Sequence, residues 1–111
     1  MIKKRSKPFI GFWCQFLDQF AIHALCSTNY DWIALDMEHG VYNFKDISIL
    51  SNVIKSYRKL PFVRLNVSNE NNIQRSLDSG AEGLILPMIE DHNILNSLIS
   101  KMKYPPHGTR S

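Results

Sequence analysis

No stretch of this sequence approaches the ~20 consecutive apolar residues that a membrane-spanning helix needs. Low-complexity tracts and internal linkers are also missing. Only two cysteines occur, Cys14 and Cys26. Neither has a second cysteine or a histidine at zinc-ligand spacing, so buried free thiols are expected. The five glycines are scattered. With no Gly-x-Gly-x-x-Gly and no Gly-Lys-Ser/Thr, a phosphate cradle is poorly supported. No serine sits on a Gly-x-Ser-x-Gly elbow, which removes the hydrolase triad of that kind. Phe9 to Cys14 follow a basic start, as in a secretion signal, but Gln15, Asp18, Gln19 and His23 break the run. No small-residue cleavage site follows, and a cytoplasmic protein is expected.

Positive charge is concentrated at the start, in Lys3, Lys4, Arg5 and Lys7, within a formal net charge of +3. Residues 1–7 are therefore read as a basic arm. Such an arm can bind nucleic acid or anionic lipid. Here no aromatics alternate with the basic residues and no recognition helix follows, so a frayed, solubilising terminus is the better reading. Neither nucleic acid nor a membrane is expected as a partner.

What is present is an ordinary globular composition, 44% hydrophobic and 21% charged over 111 residues. That length builds one domain with a core. It falls far short of the ~250 residues of a closed (β/α)8 barrel. Over residues 8–111 a short apolar run, a polar turn and an amphipathic stretch recur four times. The runs are Pro8 to Trp13, Trp32 to Asp36, Phe62 to Leu65 (opened by Pro61) and Gly83 to Met88. The first helix is expected from about Asp18 to Ser27, with Phe20, Ala21, Ala24 and Leu25 at helical spacing. The second runs from about Lys45 to Tyr57, with Asn43 as cap and Ile47, Leu50, Val53 and Ile54 on one face. Ser68 or Asn69 caps the third, which carries Ile73 and Leu77 and stops at Gly80. The fourth carries Ile94, Leu95, Leu98 and Met102.

Nearly continuous apolar strands indicate a parallel sheet covered by helices. Two architectures accommodate four such units: the first half of a (β/α)8 barrel, or a small doubly wound sheet of the flavodoxin type. Both gather chemistry at the carboxyl ends of the strands. There the sequence places Asp36, Glu38 and His39 after the second strand, Arg64 in the third, and Pro87, Met88 and Glu90 after the fourth. Arg64 interrupts an apolar run, where a guanidinium is costly unless paired. It is either an anion or carbonyl binder, or a structural ion pair with Asp36 or Glu38. His39 is either a general base, whose ordinary chemistry it has, or a hydrogen-bonded loop residue. His23, His92 and His107 are read as hydrogen-bonded loop or surface residues. Asp36, Glu38 and His39 cannot all face one ion from an extended strand, though one or two could lie near a metal.

The segment from Tyr30 to Gly40 resembles the second strand of the HpcH/HpaI aldolase family. So do Pro61 to Arg64, Leu77 to Gly83, Leu86 to Met88 and Tyr104 to Arg110, in the family's order and at about its spacing. The resemblance implies a metal-dependent aldolase on a (β/α)8 barrel, cleaving 4-hydroxy-2-keto acids to pyruvate and an aldehyde. It implies His39 as proton acceptor, Arg64 as transition-state stabiliser and Asp78 as the residue raising the histidine's basicity. Asp36 and Glu38 are expected to touch substrate or to support the residues that do. A divalent metal (Mg²⁺, Mn²⁺ or Co²⁺) is implied, with its glutamate and aspartate ligands expected beyond Ser111. As it stands the chain is expected to be an inactive, truncated lyase-type fragment, and a homo-oligomer. The alternatives are a non-catalytic half-barrel interaction module and a flavodoxin-like binding domain.

Overall fold

A computed structural model describes residues 6–111. The basic arm therefore lies outside the described residues, apart from Ser6 and Lys7, which are exposed. Eight elements alternate: β1 (Gly11–Cys14), α1 (Gln19–Cys26), β2 (Trp32–Asp36), α2 (Phe44–Ser56), β3 (Leu60–Arg64), α3 (Asn71–Asp78), β4 (Gly83–Ile85) and α4 (His92–Ser100).

Helix starts follow local chemistry. Asp18 accepts from the backbone N–H groups of Phe20 and Ala21, and Asp91 does the same for Asn93. Asn43 forms a full capping box with Asp46. Each such cap contributes about 1 kcal/mol by satisfying amides that the helix leaves free. The third helix departs from expectation. Its cap position is Glu70, without a side-chain bond, while Asn69, one residue earlier, accepts from the Asn71 N–H. Gly80 takes φ +110° just past the end of α3, a conformation side chains disfavour, and so stops the helix there.

The sheet order is β1-β2-β3-β4, with every pair parallel. This sequential order decides between the two architectures. A doubly wound sheet reverses its order at a switch point and carries helices on both faces. Here α1 packs on α2 and α2 on α3, along one face. The fold is four consecutive β/α units of a (β/α)8 barrel.

The helix-facing side holds the core. Cys14, Ile33, Leu35 and Val63 from the strands, with Leu65 just after β3, meet Ile22, Cys26, Ile47, Leu50, Ile54, Ile73 and Leu98 from the helices. Burying each large aliphatic side chain contributes about 1.5–3 kcal/mol. Helix α1 uses a different face from the one expected. Ile22 and Cys26 are buried, whereas Phe20 is 87% exposed. Packing of Ile22 and Cys26 into the core turns Phe20 outward.

The opposite, inner face carries Trp13, Trp32, Ala34, Asp36, Phe62 and Arg64, as the register Trp13↔Ala34, Ala34↔Phe62 and Asp36↔Arg64 requires. Trp32 and Phe62 stack at 5.5 Å between centroids. They lean over Gly11 and Gly83, where an added Cβ would collide with their rings. The first and fourth strands are shorter than the apolar runs that announced them, because each pairs on one side only.

Candidate functional site

The carboxyl ends of β1, β2 and β3 converge on one buried carboxylate. Asp36 ends β2 at 0% exposure. Arg64, at the end of β3, donates to it through Nε at 3.0 Å to Oδ1 and Nη2 at 2.5 Å to Oδ2. Trp13 Nε1 and Gln15 Nε2 reach Oδ2 at 3.1 and 2.9 Å. The backbone N–H groups of Glu38 and His39 reach Oδ1, both at 3.0 Å. Burial alone would push the carboxyl upward. The Arg64 hydrogen bonds, with those from His39, Trp13 and Gln15, outweigh it and hold Asp36 well below the usual carboxylate range. Pairing with Asp36 raises the Arg64 guanidinium in turn, against a smaller effect of burial.

Six donors fill a carboxylate that offers about four lone-pair sites. Asp36 thus has no direction left for a ligand or a substrate proton. Of the two readings open for Arg64, the ion pair with Asp36 is present, and it is bidentate. It does not consume the whole guanidinium. Nε and Nη2 are engaged, while Nη1 makes no hydrogen bond to any described residue. The Arg64 side chain is 20% exposed, so one edge of a fixed cation opens at the mouth of the sheet. Its Cζ lies 5.0 Å from the Trp13 ring centroid, which adds a cation–π contact.

His39 stands on the turn after β2. Its Nε2 lies 3.0 Å from Glu38 Oε1, and its side chain is 62% exposed. Asp36, Glu38, His39 and Arg64 are therefore brought together. Asp78 is not among them. It ends α3 and pairs with Arg110 Nη2 at 2.8 Å. Just beyond it, Glu82 donates its N–H to Pro61 at the start of β3, so Asp78 belongs to the amino end of the sheet. Glu90 is exposed on the loop after β4, as are His92 and His107 elsewhere. His23 is half-buried and bonds Tyr57 at 2.8 Å. Cys14 and Cys26 are free and buried.

Sequence reasoning missed Trp13 and Gln15. Gln15 registers there only as a break in an apolar run, and Trp13 only as an apolar residue. The available signal was an indole N–H and an amide at successive outward positions where β1 ends.

Among the described residues, no group of three or more His, Cys, Asp or Glu side chains is placed to hold a metal ion. With Asp36 saturated by donors, this part of the site does not provide a full ligand set for a divalent cation. No described helix is long and apolar enough to cross a membrane.

Known proteins are similar to this chain in sequence and fold. A hydroxypyruvate/pyruvate aldolase from Roseovarius nubinhibens is 35% identical over 91% of this chain and 39% of its own length. A 4-hydroxy-2-oxo-heptane-1,7-dioate aldolase from Salmonella dublin is 29% identical over 96% of this chain and 41% of its own. The crystal structure of an HpcH/HpaI aldolase from Desulfitobacterium hafniense superposes with a TM-score of 0.87 at 27% identity, covering 95% of this chain and 41% of that one. The chain thus spans about two fifths of the length of these relatives. The family model for HpcH/HpaI aldolase/citrate lyase matches residues 10–111, and the chain belongs to that family.

Proposed function

We propose that residues 8–111 supply the base and the fixed cation of an aldolase site that cleaves a 4-hydroxy-2-keto acid to pyruvate and an aldehyde. The observation that carries this reading is the Asp36 hub. One carboxylate holds the open guanidinium of Arg64 and the backbone of His39 at the same strand mouth. In the retro-aldol direction His39 takes the proton of the 4-hydroxyl, directly or through water. The C3–C4 bond breaks, its electron pair passes toward the 2-keto group, and the aldehyde leaves. The Nη1 edge of Arg64 faces the oxygen on which enolate charge develops, and a preorganised donor there is worth most in the transition state. A planar guanidinium already clamped along two donors loses little freedom in doing so.

Glu38, 3.0 Å from the imidazole, takes the orienting place beside His39 that the resemblance gave to Asp78. A divalent cation (Mg²⁺, Mn²⁺ or Co²⁺) would supply Lewis-acid charge to the keto acid when bound. The described residues do not by themselves offer three carboxylate, thiol or imidazole ligands for it. A small 2-keto acid and an aldehyde are the partners. The open edges of β1 and β4 support a homo-oligomer.

Pyruvate titrated into the ¹⁵N-labelled 111-residue chain tests the reading. The Arg64 Nε–H resonance and the backbone amides of Glu38 and His39 are expected to shift saturably, and the response of those two amides to be lost in Arg64→Met. Shifts confined to surface lysines such as Lys101 and Lys103 would sink it.

A further inference from the structure

We propose that Gln15 and Trp13 are positioning residues, which hold the Asp36 carboxylate and through it orient the Arg64 guanidinium toward its ligand. The identity of that ligand rests on the aldolase reading; the positioning does not.

The torsion that sets the plane of an aspartate carboxylate is broad, so its donors decide its orientation. At Asp36, Oδ1 is fixed by Arg64 Nε and two backbone N–H groups. On Oδ2, beside Arg64 Nη2, both other donors come from the carboxyl end of β1 and the residue after it: Trp13 Nε1 at 3.1 Å and Gln15 Nε2 at 2.9 Å. Without them the carboxylate can tilt about its Oδ1 anchor. The guanidinium must then follow, because a bidentate pair keeps the two groups coplanar.

Trp13 acts twice. Its register with Ala34 puts it on the same face as Asp36. Its N–H holds Oδ2 while the face of its ring lies under Arg64, 5.0 Å from Cζ to the centroid. The ring closes the side toward which the guanidinium would otherwise swing. Gln15 is exposed as a residue, yet its amide is spent on a fully buried carboxylate rather than on water. Strand β1, which carries none of the proposed reacting groups, thereby sets the direction in which Arg64 Nη1 points.

The test uses the 111-residue chain with Gln15→Met, which keeps the side-chain length without the donor. Trp13→Phe keeps a ring without its N–H. Three readouts are taken: hydrogen exchange at Arg64 Nε–H, the pyruvate Kd from the shift of that resonance, and the melting midpoint. Gln15→Met is expected to speed the exchange roughly tenfold and to weaken pyruvate binding by a similar factor, the lower end of the usual worth of a hydrogen bond to a charged group. Because Gln15 lies at the surface, the midpoint should move by only a few degrees. Trp13→Phe is expected to act in the same direction, and the double variant should exceed either one. Unchanged exchange in both single variants overturns the proposal. Faster exchange in a chain whose Arg64 signal never responds to pyruvate supports the positioning role and overturns only the aldolase reading.

Discussion

Arg64 and His39 share one oxygen: Oδ1 of Asp36 accepts Arg64 Nε and the backbone N–H of His39, each at 3.0 Å. Arg64 ends β3 and His39 lies on the turn after β2, 25 positions apart, yet their spacing is set at a single buried atom. The cation is rigid because its partner is saturated. The imidazole is different. Its backbone is pinned while its ring stays open to solvent, in contact with Glu38.

Asp36→Asn should therefore do more than remove a charge. It leaves Arg64 with a half-buried, uncompensated guanidinium and offers an NH₂ group where four N–H donors and a bidentate fork converge. The melting midpoint is expected to fall by on the order of 10 °C, because removing one partner from a buried pair strands the other. Thermal unfolding followed by circular dichroism reads this directly, and a fall of less than about 2 °C would contradict the hub.

The pH dependence of stability follows from the same carboxylate. Its folded-state pKa lies below the ordinary aspartate value, so the folded state binds this proton less readily than the unfolded chain. The stabilisation is fully present above about pH 4, the unfolded value, and is lost as pH falls toward the depressed folded value. Urea midpoints measured from pH 6 to pH 2 should decline through that acid range. In Asp36→Asn this part of the decline should be missing.

Asp78→Asn should cost about 1–2 kcal/mol. The Asp78 carboxylate is 53% exposed, but its partner Arg110 is only 14% exposed, so removing the charge leaves a mostly buried guanidinium without its ion pair. Denaturant unfolding measures the loss. A much larger cost would mean that Asp78 is embedded in contacts beyond Arg110.

The 111-residue chain should not remain a dilute monomer. Strands β1 and β4 each pair on one side only, and the inner face carries the half-buried rings of Trp32 and Phe62. Open parallel edges recruit further strands. Light scattering is expected to show dimers or larger species, and a monodisperse monomer at micromolar concentration would count against it.

Catalytic weight can be read once the chain is joined to the carboxyl-terminal portion of a family member. In that hybrid His39→Ala should lower kcat by roughly 10²–10⁴, the usual worth of a placed general base. Arg64→Lys should also be damaging, since an ammonium cannot hold Asp36 and a keto oxygen along separate edges of one plane. His92→Ala and His107→Ala, both exposed, should be near neutral. Retained activity in His39→Ala alongside its loss in His107→Ala would refute the assignment.

Much of this molecule is written locally in its sequence. The β2 run from Trp32 to Asp36 is bounded as its apolar pattern ends. Asn43 caps α2, and Gly80 follows α3 in a conformation that side chains avoid. The strand-end position of Asp36, Glu38, His39 and Arg64 also follows from the alternation of runs and helices. These features depend on neighbours within a few residues, which a sequence displays directly. Tertiary structure decided the rest. Strand order, which separates a barrel segment from a doubly wound sheet, is a relation between units and leaves no mark inside any one of them. Helix α1 shows the same limit on a smaller scale, since its several apolar residues permit more than one buried face and packing chose Ile22 and Cys26. The hub is the clearest case. The side chains that hold Asp36 lie 21 to 28 positions away from it. Only the parallel register of β1, β2 and β3 brings an indole, an amide and a guanidinium onto one carboxylate.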